Sequence, residues 1–186
     1  MKGLLVLGLI LTAFFRFASY QVGACEQRES LSATQKASPL ELSVVADKRI
    51  YKRHDYFRLH AMLINTDYLN DIFVYGTLGW GYSASLSFTL HDASGREINP
   101  QIFPDDLTPP ISPDDTTAFV KLRPQHYLGT DLVVKLNLLN LSKPGKYSVF
   151  VEYHSPIPGT KVKLSPFWGK NKGTIKSNVV WIEVVR

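Results

Sequence analysis

From Leu40 onward, large apolar residues recur at every second position. Leu40, Leu42, Val44 and Ala46 alternate with Glu41, Ser43 and Val45, and Phe57, Leu59, Ala61 and Leu63 alternate with Tyr56, Arg58, His60 and Met62. The same period runs through Leu86, Phe88 and Leu90, then Leu132 to Leu138, then Tyr147, Val149 and Val151, and Val179–Val185 closes the chain. Successive side chains of an extended segment point to opposite faces, so each run offers one face to a core and one to solvent. Past the front of the chain, no stretch sustains the wider spacing of a helix over three turns. Turn formers such as Ala93-Ser94-Gly95 separate the runs. Seven to nine strands in residues 40–186 predict an all-β fold, an antiparallel two-sheet sandwich. Asn99–Asp115 carries Pro100, Pro104, Pro109, Pro110 and Pro113. Proline has no backbone N–H to give to a central ladder, so this segment reads as an exposed connection.

The front of the chain has a different character. Met1-Lys2 gives a positive start, and Gly3–Phe15 is apolar before Arg16 ends the run. That length suits the core of a signal peptide and falls short of the roughly 20 residues of a spanning helix. Residues 1–24 therefore read as a removable leader that exports the rest to the cell envelope. No later stretch is as hydrophobic, so no transmembrane helix is expected in the mature protein. Val22-Gly23-Ala24-Cys25 puts small residues directly before the one cysteine of the chain. The tetrapeptide resembles the lipobox of bacterial lipoproteins, while Val22 and Ala24 also fit ordinary signal peptidase, and both cut before Cys25. The lipoprotein resemblance implies acylation of Cys25 and a stable membrane anchor, since several acyl chains bury far more methylene than one. Residues 25–39 are polar and read as a flexible tether.

A further resemblance lies at Leu141-Ser142-Lys143-Pro144-Gly145-Lys146-Tyr147-Ser148-Val149. It is similar to the corner between the fifth and sixth strands of immunoglobulin-like sandwiches, where a tyrosine hydroxyl bonds back to upstream backbone. On that resemblance Tyr147 is the corner tyrosine, and Val149 stands where antibody domains have their second cysteine. The run from Leu40 to Val185 is similar to the cysteine-poor immunoglobulin-like domains of bacterial envelope proteins. Shared features are a second strand ending in Asn, here Ile64-Asn65, and a last strand entered through Ser-Asn, here Ser177-Asn178. The resemblance implies a fold and leaves the activity open.

Catalytic signals are weak. With one cysteine there is no internal disulfide and no multi-cysteine metal site. Gly81-Tyr82-Ser83-Ala84-Ser85 has a serine where a nucleophile elbow needs its last glycine. His54, His60, His91, His126 and His154 show no metal-ligand spacing. Pro104-Asp105-Asp106 and Pro113-Asp114-Asp115 lack the alternation of a calcium loop and match turn formers. No metal and no cofactor is expected. The net charge of +5 is too mild and dispersed for a nucleic-acid partner.

The remaining lead is aromatic. Trp80 and Tyr82 lie among glycines, and Phe167-Trp168-Gly169 lies in the long connection before the last strand. Rings in such loops either stack on a sugar or fill a partner's pocket, or they cap the open end of the sandwich core. Lys161, Lys163, Lys170, Lys172 and Lys176 surround the second loop. The sequence thus points to a non-enzymatic, lipid-anchored envelope domain that binds a protein or glycan through its end loops. Two alternatives stand beside it. One is a carbohydrate-binding module. The other is a peptidase inhibitor resembling the chagasin group, for which Ser165-Pro166-Phe167-Trp168 would be an inserted loop.

Overall fold

A computed structural model of the chain describes residues 38–81, 84–101, 112 and 114–186. The leader, Cys25 and most of the tether lie outside them, as does Tyr82. Ten strands follow in order: β1 (Leu40–Ala46), β2 (Ile50–Lys52), β3 (Tyr56–Asn65), β4 (Ile72–Tyr75), β5 (Leu86–Asp92), β6 (Phe119–Leu122), β7 (Tyr127–Lys135), β8 (Gly145–Tyr153), β9 (Ile175–Lys176) and β10 (Val180–Val185). Short 3-10 turns are the remaining regular structure among the described residues, which include no helix long and apolar enough to cross a membrane.

The fold is an all-β sandwich. One sheet has the order β1-β3-β7, and the other has the order β2-β10-β8-β5 with β9 also on β8. A separate ribbon joins β4 to β6. The expected alternation is the pleat of these strands: Leu42, Val44, Phe57, Leu59 and Leu63 from one sheet meet Leu86, Leu90, Val149, Val151, Ile182 and Val184 from the other in a single core. Three details differ from the expected layout. The strands number ten because β2 and β9, of three and two residues, are too short to show a period. The β4–β6 ribbon stands outside both sheets, and β2 runs parallel to β10. Leu136–Leu139, whose apolar residues continue the alternation of β7, turns instead into 3-10 conformation and ends at Asn140 in the left-handed region.

The two sheets are stitched by one irregularity. Glu152 of β8 faces Lys176 of β9, and Val149 of β8 faces Val180 of β10. Two residues of β8 therefore oppose three on the other side, Ser177, Asn178 and Val179, which is a β-bulge. Ser177 holds the ladder: its N–H donates to the Val151 carbonyl at 2.9 Å, and its hydroxyl oxygen accepts from the Val151 N–H at 2.9 Å. Asn178 is thereby turned toward the opposite sheet. Its Oδ1 accepts from the Val44 N–H at 2.8 Å and its Nδ2 donates to the Val44 carbonyl at 3.0 Å. The side-chain amide thus pairs with the outer edge of β1 as a neighbouring strand would.

Two further polar groups fix the ends. Asn65 is fully buried, and its Nδ2 donates to the carbonyls of Asn70 and Leu122 while its Oδ1 accepts from the Asp67 N–H. One amide thus ties β3 to the following loop and to β6. At the other end, the Tyr147 hydroxyl donates to the Lys143 carbonyl at 2.7 Å, the bond that the corner-tyrosine resemblance implies. Burial, and secondarily the Asp92 carboxylate, raise its pKa and keep the hydroxyl a donor.

Replacing Asn178 with Ala leaves both polar groups of Val44 unpaired between the sheets. The expected loss is about 1–3 kcal/mol. Urea unfolding should show a lower midpoint with an unchanged slope.

Candidate functional site

The aromatic residues expected to bind a partner are mostly interior. Trp80 is 3% exposed and belongs to the main core. The segment around it is tied down: the Ser85 hydroxyl donates to the Thr77 carbonyl and accepts from the Gly79 N–H, and backbone bonds join Gly79 and Gly81 to Leu86. Phe167 is 9% exposed and meets Phe119 edge to face, with ring centroids 5.2 Å apart. It sits on a stretch bonded to β4, where the Phe73 N–H donates to the Pro166 carbonyl and the Trp168 N–H to the Phe73 carbonyl. Trp168 is half-buried against the main core. Trp80 thus lies in the main core, Phe167 in a smaller cluster with Tyr75, Phe119 and Ile157, and Trp168 is partly covered. Their burial is dictated by area, since an indole or phenyl ring gains most when it leaves water. Ser165 and Pro166 of the same segment are exposed. Tyr82 and Cys25 lie outside the described residues.

Exposed rings stand elsewhere, on the outer faces of the sheets. On the β2-β10-β8-β5 sheet, Trp181 is 60% exposed. It faces Ser148 on β8, which in turn faces His91 on β5. His91 stacks on Phe150, with ring centroids 5.9 Å apart and an interplanar angle of 18°. The Lys176 ammonium approaches the same phenyl ring at 5.6 Å and pairs with Glu152 at 3.0 Å. Small, buried Ser148 stands between the indole and His91 in this cross-strand row. Ser87, Thr89 and Glu183 occupy outward positions on the same face. The expected anchors omit Trp181, although the inward set Val180, Ile182 and Val184 already assigns it outward.

On the β1-β3-β7 sheet, a shallow open trough of about 690 Å³ is lined by Val45, His60, Met62, Tyr127, Gly129 and Asp131 among others. Val45, His60 and Asp131 form one cross-strand row, and Ser43, Met62 and Gly129 the next. The depression exists because Gly129 has no side chain. A Cβ there would stand 3.5 Å from the Tyr127 ring, which lies beside it. His60 Nδ1 contacts the Asp131 carboxylate at 2.5 Å, and both groups are roughly half exposed, at 41% and 52%. An ion pair this open to water contributes little to stability.

The titratable groups read as structural. Among the described residues, no three His, Cys, Asp or Glu side chains gather in a metal-binding group. Asp115 accepts from the Thr117 N–H and hydroxyl at the start of a 3-10 turn, and these bonds lower its pKa. Asp92 does the same in its hairpin, where the Ser94 hydroxyl is the largest cause. Asp114 pairs with Lys163 at 3.2 Å. His154 is shifted downward, first by burial and then by the Lys170 charge, with Glu152 opposing. None of these groups holds a nucleophile or presents a carboxylate pair to a closed pocket.

No family model matches the chain, and no curated protein matches it in sequence. Among solved structures, it is similar to a β-glucosidase from Erythrobacter marinus with a TM-score of 0.36 and 10% identity over 78% of this chain. A β-glucosidase from Listeria innocua, solved in complex with glucose, gives a TM-score of 0.36 and 11% identity over 79%. The chain spans 15% and 16% of those two proteins. A likeness this distant carries no argument about this chain.

Two outcomes follow. Trp80→Ala and Phe167→Ala remove core rings and should each cost about 3–5 kcal/mol in urea unfolding, whereas an exposed ring would cost under about 0.5. The pH dependence has a definite sign. A histidine with a depressed folded-state pKa binds its proton more readily in the unfolded chain, so stability falls as pH drops through its ordinary value of 6.5. The melting temperature should therefore be lower at mildly acidic pH than at neutral pH, and His154→Gln should reduce that difference.

Proposed function

We propose that this chain is a non-catalytic module of the cell envelope, exported by its leader and anchored through acylated Cys25, that binds a glycan or protein partner. The observation that carries the reading is the outer face around Trp181. An indole 60% exposed on a rigid sheet, next to a stacked imidazole and phenyl ring, is an anchor without an intramolecular task. A pyranose ring offers an apolar C–H face to stack on such an indole. Its hydroxyls meet the donors and acceptors that Thr89, Ser87, His91 and Glu183 supply on the same face. A glycan therefore suits the face better than a purely apolar surface would.

The immunoglobulin-like identity of the sandwich belongs to the same proposal. It is supported by the Tyr147–Lys143 bond and by the Ser177-Asn178 entry to the last strand. The choice of a sheet face as the binding surface is supported by the burial of Trp80 and Phe167. The peptidase-inhibitor alternative draws no support from Phe167, whose ring is covered.

Glycan-array binding by the purified mature chain should weaken at least tenfold in Trp181→Ala, with unfolding midpoints little changed, since surface substitutions stay within about 0.5 kcal/mol. A blank array, or binding indifferent to Trp181, would remove the glycan reading. The anchor is tested by metabolic labelling with a fatty acid. Label should enter the wild-type protein and be absent from Cys25→Ser.

A further inference from the structure

The rim strands are β1 and β7 in one sheet, and β2 and β5 in the other. The outer side of β1 is met by Asn178 and by the Leu42–Ser177 bridge. The outer side of β5 is met by the segment around Trp80, where the Gly81 N–H donates to the Leu86 carbonyl. Farther along β5, the Ile98 N–H donates to the Leu90 carbonyl. β2 has only three residues. β7 is different. It runs for nine residues in unbroken register with β3 and contains no proline.

The bonds that bracket the β3–β7 ladder show which way its polar groups point. The Asn65 N–H donates to the His126 carbonyl at 2.9 Å, and the Leu136 N–H to the Asp55 carbonyl at 3.2 Å. Bonded pairs recur at every second residue of an antiparallel ladder, so Leu128, Thr130, Leu132 and Val134 turn their N–H and C=O groups to β3. Those of Tyr127, Gly129, Asp131, Val133 and Lys135 point away from it, and among the described residues no backbone group meets them. Exposure agrees. The outward residues are all exposed, and Leu128 and Thr130 are only half-buried although they point inward. An open row of this kind is a template for one more strand, which proteins normally blunt with a proline, a bulge or a cover.

The charges along β7 choose the occupant. Asp131 and Lys135 stand two positions either side of Val133, on the same face. Let β7 pair antiparallel with β7 of a second copy, centred on Val133. Each Asp131 then falls opposite Lys135 of the other copy, and Val133, 48% exposed, meets its own counterpart. Centring the pair on Asp131 would instead set like charges face to face. Both charged groups have capacity for the contact. The Lys135 ammonium lies 5.7 Å from the Tyr56 ring centre and makes no ion pair with another described residue. Asp131 meets the His60 ring through Oδ1, leaving Oδ2 without a partner among the described residues. One cross-strand row would thus run from Tyr56 through Lys135 to Asp131 and His60 of the second copy.

We infer that β7 is a self-association edge, along which two copies join antiparallel at Val133 and their β1-β3-β7 sheets become one. The Trp181 face lies on the other sheet, so the pairing is independent of the glycan reading and each copy keeps its own Trp181 face. The test is sedimentation velocity of the mature chain carrying Cys25→Ser, which excludes a dimer held by the lone thiol. A ladder of this length is smaller than a standard interface, and its expected dissociation constant is on the order of 100 μM. Asp131→Lys alone and Lys135→Asp alone each set like charges opposite one another and should weaken the dimer about tenfold. Mixing these two variants restores opposite charges across the pair, and the mixture should dimerise at least as tightly as the wild type. Both side chains are in water, so neither reversal should move the melting temperature of the dilute monomer, and mixing reports pairing rather than folding. A wild-type chain that stays monomeric up to about 1 mM would overturn the inference and leave the edge to a strand of another protein. A dimer indifferent to both charge reversals would overturn it too. So would variants that weaken pairing alone and fail to recover it when mixed.

Discussion

A side-chain amide and a short backbone bridge join the two layers of this sandwich: Asn178 bonds to Val44, and Ser177 pairs in parallel with Leu42. Asn178 would lie in the ladder with β8 if β9 and β10 were continuous. The extra residue of the bulge frees it, and its amide pairs with both polar groups of Val44 on the edge of β1. An unpaired strand edge is costly when covered and prone to wrong pairing when open. Here Asn178 pairs the edge at Val44 and Ser177 pairs it at Leu42, while Ser177 keeps the ladder to β8 intact through its own hydroxyl and N–H. The inward residues of both sheets can then share one interior, from Leu42 and Val44 to Ile182 and Val184.

That closure decides what the surface can offer. Trp80 is spent on the main core, Phe167 on the smaller cluster with Tyr75, Phe119 and Ile157, and Trp168 is partly buried against the main core. Rings on the outer faces have no such duty. Trp181, the His91–Phe150 stack and Tyr127 stand on pleated sheets whose backbone cannot rearrange without breaking the ladder. Rigid presentation of a few exposed rings is what the proposed binding role would use.

Much of this was legible in the alternation of apolar residues. It located the long strands and assigned inward and outward positions, because a pleat has no other way to bury a face. It could not reveal β2 or β9, since two or three residues carry no period, nor that Leu136–Leu139 would leave the strand for a 3-10 turn. The loop rings were read with two outcomes open, and their burial depends on contacts with distant strands, such as Phe167 with Phe119. Ser177-Asn178 and Ile64-Asn65 were noticeable as pairs. Their roles, however, are bonds across 134 residues for Asn178 and 57 for Asn65, which no local pattern encodes. Trp181 was the reverse case: it was not singled out, although the period of the closing run sets it on the face opposite Val180, Ile182 and Val184.

Native-state hydrogen exchange of the Val44 amide tests the closure most directly. Its N–H faces away from β3 and has the Asn178 side chain as its partner. If that amide seals the sandwich, the Val44 N–H should exchange only through global unfolding, as slowly as the Val151 N–H on the Ser177 hydroxyl. Exchange of Val44 at the rate of an open strand edge, with Val151 still protected, would show that the two layers are not joined there.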